Sequence, residues 1–237
     1  MPITEKLTSR TTLFTCQQNV NATQSWFDPN YWKRTKRLIK TASGRGEVWF
    51  VDTPVGSAVL RKYRRGGLIA KFNKYYFAFC TLALTRPFKE LKLLEYMATQ
   101  GLNVPKPIGG LCRKSGLFYE AWLLTETIPN AHDLYNWILD GKHAQLDWQA
   151  IGREIKRLHD SNVFHSDLNC HNIMIDTSGN VWIIDFDKCK QRDMSPPLRD
   201  NNLNRLKRSF EKETQKHTDF HLDNRHIESL MDGYKNG

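Results

Sequence analysis

Residues 163–172 read Val163-Phe164-His165-Ser166-Asp167-Leu168-Asn169-Cys170-His171-Asn172, and beyond them two apolar runs, Ile173-Met174-Ile175 and Val181-Trp182-Ile183-Ile184, flank Asp176-Thr177-Ser178-Gly179-Asn180. Those turn residues tolerate positive φ, so the two runs predict a hairpin. A hairpin doubles the chain back, and Asp185, in Asp185-Phe186-Asp187-Lys188 at its exit, returns beside Asn172. Asp167, Asn172 and Asp185 then converge. A carboxylate and an amide oxygen are hard ligands suited to Mg²⁺ held jointly with nucleotide phosphates. Asp167, free of the metal, is placed to accept a hydroxyl proton. The competing reading makes each a turn or cap residue, but His165, Leu168 and the apolar run before Asp185 weigh against coincidence.

Upstream, the spacing of Ile151, Ile155 and Leu158 predicts a helix over 147–162 that delivers the chain into this loop, and a shorter one is expected over 131–139 with Asp133 in its first turn. Further back, Gly44-Arg45-Gly46 precedes Val48-Trp49-Phe50-Val51, a turn at Thr53-Pro54-Val55-Gly56, and Ala58-Val59-Leu60-Arg61-Lys62-Tyr63, which reads as a glycine turn and two antiparallel strands. Phe88, Leu91 and Leu94 mark a helix over 86–100, closed by Gly101 and by Val104-Pro105-Lys106-Pro107. Strands over 108–111 and 118–125 complete a small lobe ending near Glu126. The Asp28-Pro29 step suggests a turn between aromatic anchors. After Lys188 the chain reads as amphipathic helices, with Leu203, Leu206 and Phe210 on one face.

The 237 residues are 40% hydrophobic and 25% charged, which excludes wholesale disorder and collagen-like repeats. The longest nearly apolar run, 75–84, is half the ~20 residues a membrane span needs, and Met1-Pro2-Ile3-Thr4-Glu5-Lys6 lacks a basic-then-apolar leader. Five scattered cysteines without a Cys-x-x-Cys pair argue against a disulfide framework and a structural zinc site, so the reducing cytoplasm is the expected compartment. His171, Cys170 and Cys189 flank the loop at a spacing that matches no zinc pattern. The whole +10 formal charge lies in residues 1–74, with 14 basic against 4 acidic side chains. Arg61-Lys62-Tyr63-Arg64-Arg65-Gly66-Gly67 leads there into Lys71, Lys74 and the aromatics Phe72, Tyr75, Tyr76, Phe77 and Phe79. Such a patch fits an anionic membrane surface or nucleic-acid phosphates, or is a solvated face over buried aromatics.

His165-Ser166-Asp167-Leu168-x-x-x-Asn172 is similar to the catalytic loop of protein-kinase-like phosphotransferases, and Ile184-Asp185-Phe186-Asp187 resembles their metal-binding motif. More narrowly, the chain resembles the 3-deoxy-D-manno-octulosonic acid (Kdo) kinases, relatives of the heptose kinases of lipopolysaccharide core synthesis. The matching segments are Phe27-Asp28-Pro29-x-Tyr31-Trp32, Gly44-Arg45-Gly46, Leu60-Arg61-x-Tyr63-x-Arg65-Gly66-Gly67, Arg86-Pro87-Phe88-x-Glu90, Val104-Pro105-x-Pro107 and the two above, with a weaker one at Asn202-Leu203-x-Arg205-Leu206.

The resemblance implies an α+β, bilobal protein-kinase-like fold. It has a small antiparallel-sheet N-lobe with an N-terminal extension over 1–126 and a mainly helical, shortened C-lobe over 127–237. It implies ATP and Mg²⁺ as cofactors, Asp167 as catalytic base with His165 supporting the loop, Asn172 and Asp185 as metal ligands, and Glu90 as the helix carboxylate orienting a phosphate-binding cation. The usual strand lysine is absent; its place falls on Arg61, with Lys62 adjacent and facing the other way, and a fork of donors favours Arg61. Gly44 and Gly46 are expected to cover the phosphates, although the full Gly-x-Gly-x-x-Gly pattern is missing, and backbone groups near Glu126 and Ile128 to read adenine. Asn169 stands where many protein kinases carry a phosphate-contacting lysine. Asp187 is either a cap or an acid supporting the metal site.

With fifty residues after Asp187 and no Ala-Pro-Glu element, a small or lipid-linked acceptor is favoured over a protein. The resemblance implies Kdo on lipid A as that acceptor, at the cytoplasmic face of the bacterial inner membrane. Arg64 and Arg65 are expected to meet the acceptor or the membrane, with neither nucleic acid nor an obligate protein partner. The alternatives are a kinase for heptose, an aminoglycoside or a protein side chain, and a non-catalytic, basic kinase-like binding module.

Overall fold

The structure is a computed structural model that describes residues 2–16, 21–43, 47–65 and 75–237. The chain forms two compact units, one of Met1–Glu95 with Lys106–Thr127 and one of Tyr96–Pro105 with Ile128–Gly237.

The first unit is built on β1 (Ile3–Lys6), β2 (Thr11–Thr15), α1 (Pro29–Arg34), β3 (Leu38–Ser43), β4 (Glu47–Thr53), β5 (Gly56–Lys62), β6 (Phe77–Ala78), the part of α2 (Arg86–Thr99) up to Glu95, β7 (Pro107–Ser115) and β8 (Phe118–Glu126). Among the described residues its strands form one antiparallel sheet in the order β1-β2-β7-β8-β5-β4-β3, with β6 on β8. The expected β4–β5 hairpin is present, pairing Val48 with Arg61 and Thr53 with Gly56. Side chains alternate across a strand, so Trp49, Val51, Ala58, Leu60, Trp122 and Leu124 share one face. Trp26, Phe27 and Trp32 pack into the same buried cluster, and Trp32 Nε1 donates to the Trp26 carbonyl at 2.7 Å.

Two features differ from the sequence expectation. Asp28-Pro29 starts a helix instead of making a turn. The Asp28 carboxylate accepts the Asn30 N–H at 2.9 Å, and proline takes the first helical position, where its missing N–H costs nothing. The polar segment before it supplies β1 and β2, and β3 precedes the glycine turn. Edge strands such as β1 and β3 carry exposed side chains, which blurs the alternation that reveals a strand.

The second unit contains β9 (His132–Asp133), α3 (Leu134–Leu139), α4 (Trp148–Asp160), β10 (Val163–Phe164), β11 (Ile173–Ile175), β12 (Val181–Ile183), β13 (Lys190–Gln191), α5 (Pro196–Lys216) and α6 (Asn224–Asn236). α3 begins three residues later than the pattern over 131–139 predicts. His132 and Asp133 pair with β11, and the Asp133 side chain then caps α3 at the Asn136 N–H. α4 and α6 cross closely because Gly152 and Gly233 face each other's backbones; a Cβ at Gly152 would overlap the Leu230 carbonyl. The segment 96–105 is bound into this unit by Asn103. Its N–H reaches Glu154 Oε1 and its Nδ2 the Val181 carbonyl, both at 3.0 Å.

Candidate active site

In the first unit, Arg61 Nη2 donates to Glu90 Oε1 at 2.5 Å, and the Tyr63 hydroxyl donates to Glu90 Oε2 at 2.5 Å. Glu90 is only 4% exposed, so both carboxylate oxygens are satisfied by groups on β5 and its continuation. Burial, and then the neighbouring carboxylate, push the Tyr63 phenol well above its ordinary range and keep it a donor. Arg61 and Tyr63 are two residues apart and share a face; Lys62 does not. It pairs instead with Glu120 at 2.6 Å and lies over the Tyr75 and Trp122 rings. Between the two cations, therefore, Arg61 stands with the helix glutamate and Lys62 with Glu120. Tyr63 was not singled out in the sequence, although its i+2 spacing from Arg61 carried the signal.

Gly44 and Gly46 lie outside the described residues, as do Gly66, Gly67, Lys71, Phe72 and Lys74. Arg65 is half-buried, bonded through Nε to the Tyr76 carbonyl at 2.6 Å and set over the Phe77 ring, while Arg64 is exposed. The aromatic strip is divided in the same way: Phe77 is buried and packs on Tyr119, whereas Tyr76 is 39% exposed. Glu126 closes β8 and gives its N–H to the Lys106 carbonyl at 2.8 Å. Ile128 is the first residue of the second unit's longer segment.

In the second unit, β11 and β12 pair Ile173 with Ile183 and Ile175 with Val181. Asp176 closes the hairpin by accepting the Ser178 and Asn180 N–H groups and the Trp182 indole N–H. The Ile184 N–H then donates to the Asn172 carbonyl at 2.9 Å, which fastens the residue before Asp185 to Asn172. The Asn172 side-chain Nδ2 donates to the Asp167 carbonyl at 2.8 Å, and Asn169 Nδ2 joins the same acceptor at 2.8 Å. Asp167, Asn172 and Asp185 are thus members of one hydrogen-bonded backbone assembly. Asp185 has φ of 61°, a left-handed conformation that costs a non-glycine residue of order 1–3 kcal/mol and persists where the surroundings enforce it.

His165 lies beneath this assembly and is fully buried. Its Nδ1 accepts the Asp167 N–H at 3.2 Å, so Nε2 carries the proton and donates to the Ile184 carbonyl at 3.1 Å. One neutral imidazole therefore ties the Asp167 segment to the Asp185 segment, and burial lowers its proton affinity, which preserves that role. Phe186 packs edge-on against the ring, with centroids 5.0 Å apart. Ser166 Oγ donates to the Asp187 carbonyl at 2.9 Å, and the Ser166 N–H meets Cys189 Sγ at 3.2 Å. His171 stacks on Tyr135 at 4.4 Å.

Two residues of α5 complete the loop. Asn202 is buried against the His165 peptide, and Arg205 donates from Nε and Nη2 to Asp167 Oδ1 at 3.2 and 2.9 Å. Neither received a role from the sequence, beyond their place in the weaker tail segment. The available signal was an asparagine on the apolar stripe formed by Leu203, Leu206 and Phe210.

The model of the lipopolysaccharide kinase (Kdo/WaaP) family matches residues 29–234. The chain is a Kdo/WaaP-family kinase. Among relatives of this family, a 3-deoxy-D-manno-octulosonic acid kinase of Vibrio vulnificus strain CMCP6 is 43% identical over 209 residues, covering 88% of each chain. The enzyme of the same name from Pasteurella multocida is 39% identical over 230 residues, covering 94% of this chain and 95% of its own. Among solved structures, WaaP in complex with acyl carrier protein superposes with a TM-score of 0.57, covering 89% of this chain and 87% of that chain at 14% identity. That likeness carries the fold, which is protein-kinase-like as the loop motif implied. The family establishes a phosphotransferase that acts on a hydroxyl group.

Proposed function

We propose that this chain transfers the γ-phosphoryl group of ATP to a hydroxyl of Kdo attached to lipid A during lipopolysaccharide core synthesis. The observation that carries this reading is the hydrogen-bonded assembly that holds Asp167, Asn172 and Asp185 through the Asp167 and Asn172 carbonyls. Phosphoryl transfer requires positioning and charge neutralisation more than covalent chemistry, and such an assembly supplies positioning.

Asn172 spends its Nδ2 on the loop, which leaves its side-chain oxygen as the amide's ligand; with the Asp185 carboxylate this is a hard oxygen set that fits Mg²⁺. The ion, when bound, would neutralise phosphate charge. Arg61, held by Glu90, is the proposed phosphate-binding cation, and Gly44 and Gly46 remain the proposed cover. The Glu126 carbonyl and the Ile128 amide are the proposed adenine contacts. The acceptor's hydroxyl proton passes to an Asp167 carboxylate oxygen as the new O–P bond forms and the bond to the ADP oxygen breaks. Asp187 supports the loop through its carbonyl.

Among the described residues no helix is long and apolar enough to cross a membrane. A peripheral position on the inner membrane's cytoplasmic face is supported by the basic N-terminal third and by exposed Arg64 and Tyr76. Arg65, already bonded to Tyr76, contributes less.

The deciding experiment incubates the purified chain with ATP, Mg²⁺ and Kdo-lipid A and follows phosphoryl addition by mass spectrometry. Transfer should be lost on chelation and fall about 10²- to 10⁴-fold in a normally folded Asp167→Ala variant. Phosphorylation of heptose or an aminoglycoside in preference to Kdo-lipid A would remove the acceptor assignment, and near-parental turnover by Asp167→Ala would remove the base.

A further inference from the structure

α5 buries Asn202, Leu203, Leu206 and Phe210 and leaves Arg205, Arg208 and Lys212 exposed. These three lie at i, i+3 and i+7, so they form one basic stripe about 10 Å long at 1.5 Å per residue. Its first member is the residue bonded to Asp167. The Arg205–Asp167 side chains are 45% and 38% exposed, and a pair so accessible contributes about 0–1 kcal/mol to stability, so exchanging it for another anion costs little. The guanidinium bonded to the proposed base is therefore open to competition from an incoming anionic group.

The acceptor proposed above is a sugar acid, and a guanidinium fork matches a carboxylate better than any other side chain does. We propose that Arg205 receives the acceptor's carboxylate, exchanging its bond to Asp167 for one to substrate, while Arg208 and Lys212 extend the site for further anionic groups. This rests on the Kdo-lipid A reading. The exchange couples recognition to chemistry. A neutral sugar leaves the Arg205–Asp167 bond in place, whereas an acidic one takes Arg205 away and removes that bond from the carboxylate proposed to accept the hydroxyl proton. Selection then arises from the penalty on the wrong acceptor as well as from attraction of the right one.

The test compares Kdo-lipid A with the same acceptor after esterification of the Kdo carboxyl. The parent should favour the acid by about 10- to 100-fold in kcat/KM, the range expected for one charged hydrogen-bonded contact. In Arg205→Gln that preference should shrink toward one, and Arg205→Lys, which keeps the charge without the fork, should retain part of it. Arg208→Gln/Lys212→Gln, which leaves the Asp167 contact in place, should raise the acceptor KM about fivefold or more and flatten its dependence on salt, with the KM for ATP at the parental value. A parent that uses acid and ester equally, or an Arg205→Gln variant that keeps the parental preference, overturns the proposal while leaving the acceptor assignment standing. Transfer by the parent to neither compound removes the assignment and this proposal together.

Discussion

Asn202 holds the His165 peptide on both sides: its Oδ1 accepts the His165 N–H at 3.1 Å and its Nδ2 donates to the His165 carbonyl at 2.9 Å. A helix of the second unit thereby fixes the start of the loop that carries Asp167. Truncating this side chain to a methyl group strands a buried donor and a buried acceptor, so Asn202→Ala should cost about 2–4 kcal/mol in urea unfolding and lower turnover with it. A loss below about 0.5 kcal/mol would show that the clamp is not holding the loop.

Tyr63 makes the second bond to the Glu90 carboxylate that Arg61 already holds. Tyr63→Phe keeps the ring and deletes one hydrogen bond to a buried charge, an expected cost of about 1.5–3 kcal/mol. Thermal melts check the stability, and the KM for ATP, expected to rise as Glu90 loses its second restraint, checks the link to Arg61. An unchanged melting temperature would contradict the role given to Tyr63.

His159 connects Tyr234 to Asn202, with Nδ1 2.7 Å from the Tyr234 hydroxyl and Nε2 3.2 Å from Asn202 Oδ1. Burial pushes its pKa down to about 4, against the opposing Asn202 hydrogen bond. The unfolded chain takes up this proton near pH 6.5, and the folded chain refuses it until about pH 4. Between those values the unfolded state binds more protons, so stability falls as pH drops through the window, by about 3 kcal/mol for this group. Buried His165 shifts in the same direction and adds to the slope. Denaturant unfolding at pH 7 and pH 4.5 measures it; a His159→Gln variant should show a shallower dependence, and an identical one would assign the slope elsewhere.

Gly152 meets the backbone of α6 at Leu230 and Tyr234. Gly152→Ala improves intrinsic helix propensity by about 1 kcal/mol, yet the methyl has no room, so the net effect should be destabilising by about 2 kcal/mol or more. A neutral or stabilising outcome would mean that the two helices separate without penalty.

Much of the site could be read from the chain alone because its parts are local. Asn172 and Asp185 are joined by a hairpin whose turn residues and apolar runs sit between them, and the Ile184–Asn172 bond follows from that hairpin. The β4–β5 pair, the α2 pattern and α4 were visible for the same reason: periodicity and turn chemistry act within a few residues. Asp28-Pro29 was misread because an Asp-Pro step suits a turn and a helix start equally, and only Trp26, Phe27 and Trp32 packing against the sheet selects the helix.

Sequence by itself indicated the reaction class, the loop residues proposed to carry it and the existence of a cation beside Glu90. Tertiary structure decided what no spacing encodes. It assigned Arg61 rather than Lys62 to that glutamate, placed Asn202 and Arg205 against His165 and Asp167 from more than thirty positions downstream, and turned Arg65 and Phe77 inward. These depend on which distant surfaces meet, and that is settled by the burial of apolar faces across the whole unit rather than by the preferences of neighbouring residues.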